Sequence, residues 1–235
     1  MANYELKTDG HSSHQQIASF IKKKYPSKCK VLDLGCDVGF LGQLLTRISK
    51  NYQIDAVDIS AERLQLAKHY YQTTYCFDLN NRNWPIHKKY DLIVIADTLE
   101  HLIQPREIIL KSIKLIKPGG ILIISIPNSV FWYARLLILS GTFPKHDRGI
   151  FDKTHLQFYT FTTFTSMLDS VQNLRITDRF QTVPPFQFLP AINWLKPLIR
   201  LFSETAYVTA KLWPNLCAYQ HILVVRVNPN HSASK

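Results

Sequence analysis

Val31-Leu32-Asp33-Leu34-Gly35-Cys36-Asp37-Val38-Gly39, followed by Asp58 at the end of a second apolar run, decides the reading of this chain. The residues before Gly35 suit a buried strand, and glycines at 35 and 39 permit the positive φ and close backbone approach of a tight strand-to-helix turn. In an open α/β sheet such a turn is where a nucleoside-containing cofactor sits, and a carboxylate closing the next strand is placed to grip a ribose diol. A dinucleotide site keeps this turn uncharged, so that its amides and the helix N-terminus can approach a pyrophosphate. Asp37 would repel that anion, and it argues for a cationic ligand.

Outward from this turn, apolar runs bounded by turn residues alternate with segments of helical period. Helices are predicted over 12–24, 39–50, 61–70, 104–116 and 161–171, and strands over 29–34, 53–58, 73–77, 90–96, 120–126, 174–183 and 219–227. The alternation implies a parallel, doubly wound α/β sheet. Lys117-Pro118-Gly119-Gly120 forms the stop before the fifth strand, since proline cannot extend a helix and glycine permits the left-handed turn back to the sheet. Residues 128–158 are aromatic-rich and irregular, and 184–216 hold five prolines among large apolar side chains.

The segment 31–39 resembles motif I of the class I S-adenosylmethionine-dependent methyltransferases, whose cofactor carries a sulfonium and an ammonium and no phosphate. The family usually has glycine where this chain has Asp37. A Lys/Arg-Pro-Gly-Gly turn occupies the place of 117–120 in the same family. The resemblance implies a seven-stranded, mostly parallel Rossmann-like sheet whose last strand is antiparallel. It implies a single domain over 1–235, with 128–160 and 184–216 as substrate-covering insertions. It places the cofactor against Asp33, Gly35, Cys36, Asp37, Gly39 and Phe40 of the first turn, and against Asp58 and Ile59 after the second strand. Asp78 and Leu79 resemble the pair that reads the adenine amine and ring edge, and Ala96 and Asp97 follow the fourth strand. An N-cap is the other role open to Asp58, but Ser60 is better placed to cap the following helix.

Length and composition bound the remainder. A chain of 235 residues with 46% hydrophobic content buries one sizeable core. Cys29, Cys36, Cys76 and Cys217 show no C-x-x-C pairing, and they read as small core residues of a reduced compartment. The first residues are polar and no run reaches the length of a spanning helix, so a cytoplasmic protein is expected. The net charge of +11 is spread along the chain: residues 1–120 carry 17 basic and 12 acidic side chains, the rest 11 and 5. Only Lys22, Lys23, Lys24, Lys28 and Lys30 cluster, as a solvated helix face does.

After the fourth strand comes Ala96-Asp97-Thr98-Leu99-Glu100-His101-Leu102. Nucleic-acid amino-methyltransferases resemble one another in an Asp/Asn-Pro-Pro-Tyr motif here, which holds a flipped base. Its absence makes DNA or RNA the weaker acceptor. Asp97, Glu100 and His101 also resemble a metal-linked segment of some ubiquinone-biosynthesis O-methyltransferases. Consecutive helical residues point in different directions, however, and a helix start capped by Asp97 or Thr98 explains the segment with no metal. The stretch His146–Thr160 resembles the Asp-Arg-Thr-His-Leu-Arg-Phe-Phe-Thr segment of bacterial small-molecule methyltransferases, with Lys153 replacing the usual arginine. An imidazole in an aromatic-walled pocket can take a proton from a hydroxyl near neutral pH. His155 is the expected general base or substrate orienter, with His101 as the second catalytic candidate. Tying the loop to the sheet is the other role open to His155. Residues 186–202 read either as a pocket cover or as an interfacial helix touching a membrane.

The expected activity is methyl transfer from S-adenosylmethionine to a small-molecule acceptor, at oxygen, on a sugar, quinone, polyketide or lipid-linked intermediate. The alternatives are an inactive binding protein on the cofactor fold, an RNA methyltransferase and an NAD-linked reductase.

Overall fold

The computed structural model describes residues 11–184 and 196–228. The elements in chain order are α1 (Ser13–Lys24), β1 (Cys29–Leu34), α2 (Phe40–Ile48), β2 (Tyr52–Asp58), α3 (Ala61–Ala67) and β3 (Thr73–Cys76). They continue as β4 (Tyr90–Ala96), α4 (Pro105–Leu115), β5 (Ile116–Pro127), α5 (Trp132–Leu139) and α6 (Phe161–Asp169). The last are β6 (Leu174–Gln181), α7 (Lys196–Leu212), α8 (Pro214–Cys217) and β7 (Gln220–Val227). The seven strands form one sheet in the order β3-β2-β1-β4-β5-β7-β6. All neighbours pair in parallel except β7, which is antiparallel to both β5 and β6.

Strands β1, β4 and β5 are buried along nearly their whole length, as parallel strands covered on both faces must be. One face packs Ile17 and Ile21 of α1, Leu41 and Leu45 of α2 and Leu64 of α3 against Val31, Ile54 and Val94. The opposite face packs Ile108 and Ile109 of α4 and Phe164 and Leu168 of α6 against Leu32, Ile93 and Ile124. Local chemistry fixes the helix starts. The Ser12 side chain accepts from Gln15 N, the Ser60 side chain accepts from Arg63 N, and Thr160 and Thr163 form a reciprocal capping box.

Two departures from the sequence reading have physical causes. Lys117-Pro118-Gly119-Gly120 does not precede the fifth strand but interrupts it. Tyr90 pairs with Ile116 and Leu92 with Ile121, so the four residues loop out as a bulge, with Gly119 at φ 75°. A Cβ on Gly120 would lie 2.8 Å from the Asp91 carbonyl, which is why no side chain stands there. Second, residues 128–158 are not wholly irregular, because α5 lies within them. It begins at Phe131 with no side-chain cap and turns large apolar residues outward, so it lacks both sequence signals of a helix, a polar face and a capping residue. Of the stretch 186–202, residues 186–195 lie outside the described residues.

Beneath the first turn, the absence of a side chain at Gly42 of α2 makes room for Tyr71. A Cβ there would lie 2.6 Å from the Tyr71 ring and 2.9 Å from its hydroxyl. That ring cannot move aside freely, because its hydroxyl donates to Asp33 Oδ2 (2.7 Å) and accepts from Gly42 N (3.2 Å). Gly42→Ala therefore sets a helix-propensity gain of about 1 kcal/mol against an overpacking cost of about 1–3 kcal/mol. A net loss of stability is expected as a lowered urea midpoint; a midpoint at or above the parent's would show that the ring yields.

Candidate functional site

The strand order reverses direction between β1 and β4, and at such a switch point an open α/β sheet takes its ligand in the crevice outside the carboxyl ends of its strands. The turn after β1 is held by its own backbone. Gly35 N and Cys36 N both donate to Val57 O (2.8 and 3.0 Å), Asp37 N donates to Asp58 Oδ2 (2.8 Å), and Gly39 N donates to Cys36 O (2.9 Å). Gly35, Asp37 and Gly39 all have positive φ, at 81°, 50° and 87°. Aspartate tolerates this region better than most side chains, so the turn keeps its path without the family's usual glycine. Four of its amides are thus already satisfied, and they are not free to cradle a diphosphate.

Asp58 is the hub. Besides Asp37 N, its carboxylate accepts from Ser60 N at Oδ1 (2.9 Å), and its carbonyl accepts from Phe77 N beyond β3 (3.2 Å). Burial raises its pKa, while backbone amide bonds act in the opposite direction. Ile59 beside it is 67% exposed, an apolar face next to a fixed carboxylate. Asp37 does not present an uncompensated charge to the crevice: its Oδ1 is ion-paired with Arg63 of α3. Asp33 lies below the turn, 3% exposed and bonded to Tyr71, and burial lifts its pKa to about 7. It supports the turn from beneath. Cys36 and Leu79 are buried, and Phe40 opens α2 directly after Gly39. Asp78 closes a local turn, its Oδ1 accepting from Asn80 N (2.8 Å).

Past β4, Ala96 leads into Asp97, which also has a positive φ of 50°. Asp97 accepts from Ser125 Oγ at Oδ1 (2.5 Å) and from Ser13 Oγ at Oδ2 (3.2 Å), which ties β4 to β5 and α1. It does not join Glu100 and His101. These two lie on a 3₁₀ turn (Leu99–His101), whose tighter winding differs from the α-helical geometry expected from sequence. Contrary to that expectation they converge, and His155 completes the group: ligand atoms of Glu100, His101 and His155 lie within 4.8 Å of one another. The His101 and His155 rings meet edge to face at 4.7 Å.

The protonation of both rings follows from their partners. His101 Nδ1 lies 3.2 Å from Thr154 O and 3.0 Å from Thr154 Oγ1, whose own proton goes to Asp152 Oδ1 (2.6 Å), and His155 Nδ1 lies 3.1 Å from Ile150 O. A carbonyl only accepts, so in the neutral rings Nδ1 carries the proton and Nε2 the lone pair. His155 Nε2 stands 3.9 Å from Glu100 Oε1. Burial, and then His101, lower the His155 pKa, and burial drives that of Glu100 well above its ordinary value. Both shifts favour an uncharged pair. The loop carrying His155 is pinned from the same residue, since Leu156 N and Gln157 N donate to Glu100 O (2.8 and 3.0 Å). The sequence reading missed Glu100 as the partner of His155 because nothing local signals a contact across that separation. It also missed Tyr71 and Arg63, which no motif marks.

A seven-stranded α/β sheet in the order β3-β2-β1-β4-β5-β7-β6, with β7 antiparallel, is the Rossmann-like fold of the methyltransferase type. The methyltransferase-domain family model matches residues 10–176, and the chain belongs to that family. Over 121 residues it is 28% identical to the mitochondrial ubiquinone biosynthesis O-methyltransferase of Candida albicans, covering 48% of this chain and 37% of that one. Over 97 residues it is 33% identical to the ubiquinone biosynthesis O-methyltransferase of Proteus mirabilis, covering 39% of each. The chain thus spans less than half the length of these two relatives. The fold is similar to magnesium protoporphyrin IX methyltransferase from Synechocystis PCC 6803, solved with bound S-adenosylhomocysteine (TM-score 0.62, 17% identity, 92% of this chain and 82% of that one). It is also similar to an S-adenosylmethionine-dependent methyltransferase from Clostridium acetobutylicum (TM-score 0.59, 17% identity, 92% and 93%).

The buried carboxyl of Asp33 has a measurable consequence. With a folded pKa near 7 against an unfolded value of 3.8, the folded state holds this proton where the unfolded state has lost it. The Asp33 contribution to stability therefore declines as pH rises from about 4 to 7. Asp33→Asn removes that titration. The stability of the variant relative to the parent, from urea unfolding, is expected to rise across this interval, and a constant difference would place the Asp33 pKa in the ordinary range.

Proposed function

We propose that the chain transfers a methyl group from S-adenosylmethionine to a hydroxyl of a small-molecule acceptor: a sugar, a quinone, a polyketide or a lipid-linked intermediate. Family membership, and the S-adenosylhomocysteine bound in the similar Synechocystis structure, support the cofactor. The donor set of the crevice fits it, with Asp58 to accept from the ribose hydroxyls, Ile59 as an apolar face for the adenine, and a turn whose amides are closed to phosphate. In this reading Asp78 and Leu79 border the adenine edge. Gly35, Cys36, Asp37, Gly39 and Phe40 border the methionine end on the β1 side, and Ala96 and Asp97 on the β4 side. Asp33 acts through the turn. When bound, the cofactor supplies an electrophilic methyl on a sulfonium, open to in-line displacement.

The observation that carries the choice of oxygen is the pair of imidazoles tethered at Nδ1 beside a buried carboxyl. An alcohol or phenol must lose its proton as the new C–O bond forms, and a neutral imidazole presenting Nε2 can take it. His155 is the base or orienter and holds the acceptor's proton as an imidazolium, His101 meets it edge to face, and the Glu100 carboxyl faces its Nε2. Residues 128–160 and 196–216 cover the acceptor and exclude water, so that reacting groups are aligned in a dry site, while 185–195 of the second expected cover lie outside the described residues.

Asp58→Ala is expected to weaken S-adenosylhomocysteine binding by about 10- to 100-fold in calorimetric titration, the loss of two hydrogen bonds to a charged acceptor. His155→Ala should leave that affinity unchanged while lowering kcat by about 10²-fold or more. Equal cofactor affinity in the Asp58 variant removes the ribose assignment.

Glu100, His101 and His155 also offer a carboxylate and two imidazoles to a divalent cation, and their convergence favours this as the second reading. Glu100→Gln together with a chelator separates the two. In the proton-transfer reading Gln preserves the packing of a neutral acid, so stability and kcat both hold, and EDTA has no effect. Activity that EDTA abolishes and a divalent ion restores assigns the group to a metal.

A further inference from the structure

The helices that do not cover the sheet turn apolar stripes to solvent. On α5, Trp132, Tyr133, Leu136 and Leu139 fall at i, i+1, i+4 and i+7, one side of the helix, and all are exposed, Leu139 by 83%. The other side of α5 is already used, with Ala134 and Leu137 packed on Phe131, Ile150 and Phe151. On α7, Leu201, Val208 and Leu212 fall at i, i+7 and i+11 and are exposed, Leu212 by 64%. The opposite side of α7 packs through Ala206 and Ala210 onto Val183 and Ala218. Trp213, 60% exposed, and Leu216 extend this apolar surface into α8.

The helices that carry them are joined through α8, which follows α7 and bonds to α5. The Asn215 carbonyl in α8 accepts from Asn128 Nδ2 (3.2 Å) and from the Arg135 guanidinium on α5 (3.4 Å). Monomeric proteins rarely gather exposed large apolar residues on neighbouring helices unless these meet a partner. Three features select the partner. Tryptophan and tyrosine stand among the exposed aliphatic residues, the mixture that suits the level of lipid headgroups. Residues 128–160 and 196–217 together carry seven Lys and Arg against three Asp and Glu, within a chain of net charge +11. That excess opposes the approach of a second, equally basic copy and favours an anionic surface. Among the described residues no helix is long and apolar enough to cross a membrane, so the helices would lie along it.

We propose that the outward faces of α5, α7 and α8 form a docking surface for an anionic lipid bilayer. The surface uses none of Asp58, Glu100, His101 and His155, and it stands whether or not their assignment to methyl transfer does. It differs from the stretch 186–202 expected from sequence, since α5 and α8 lie outside that stretch.

The test is co-sedimentation of the full chain with vesicles of phosphatidylcholine, with and without phosphatidylglycerol, at low and high salt. The full chain is expected to sediment with the phosphatidylglycerol vesicles and to be released by salt. Leu139→Glu combined with Leu212→Glu should reduce that binding about tenfold or more while leaving the thermal unfolding transition and S-adenosylhomocysteine affinity in place. Brominated acyl chains should quench tryptophan fluorescence, and Trp132→Phe with Trp213→Phe should remove most of that quenching. No sedimentation with either vesicle overturns the proposal. So does equal binding to neutral and anionic vesicles, or binding unchanged in the double variant. A chain that is dimeric without lipid, becomes monomeric in the double variant and does not sediment assigns the surface to self-association and likewise overturns it.

Discussion

The crevice is organised around one carboxylate, Asp58, whose two oxygens each accept a main-chain amide from a different element. Asp37 N comes from the turn after β1 and Ser60 N from the start of α3, while the Asp58 carbonyl takes Phe77 N beyond β3. Three adjacent strands are thereby locked at their carboxyl ends, where any ligand of an open α/β sheet must bind. Desolvation opposes the charge of Asp58, but charge-assisted amide bonds are about twice as strong as neutral ones and hold it in place. Below it, the bond from Tyr71 to Asp33 fills the floor under the glycine turn.

This arrangement alters the reason for excluding a diphosphate. The sequence argument rested on the charge of Asp37, and that charge is matched by Arg63. The exclusion rests instead on hydrogen-bond supply. The amides of Gly35, Cys36, Asp37 and Gly39 already have acceptors within the protein, and a phosphate could take them only by opening the turn. The conclusion is unchanged but its cause is backbone geometry. A carboxylate at position 37 is thus compatible with the turn because of what it does to the main chain and to α3.

The sheet was legible because its signals are local: buried runs at β1, β2, β4 and β5, glycines at the turns, and Ser60 at a helix start. Legibility ended where the determinants became long-range. The approach of His155 to Glu100 joins residues on different segments, and no periodicity reports it. Helix α5 escaped for the opposite reason, since residues apolar on both faces erase the amphipathic signature that sequence reading depends on. The Lys-Pro-Gly-Gly turn was correctly seen as a backbone break, but a bulge within a strand and a stop before one use the same residues.

Glu100 connects these two levels of organisation. Its backbone carbonyl receives the amides of Leu156 and Gln157, which fixes the loop of the cover, and its side chain faces the imidazole that this loop carries. Both imidazoles are in turn oriented by carbonyls of the same loop, at Ile150 and Thr154. The cover and the proposed base are therefore assembled by one set of hydrogen bonds, anchored on the turn that follows β4. In the proposed reading, cofactor recognition is placed on the strand ends around Asp58, whereas acceptor recognition falls to the aromatic segment between β5 and α6. A fold divided in this way can change its acceptor by altering the cover while the sheet stays constant, provided that Glu100 keeps the two in register.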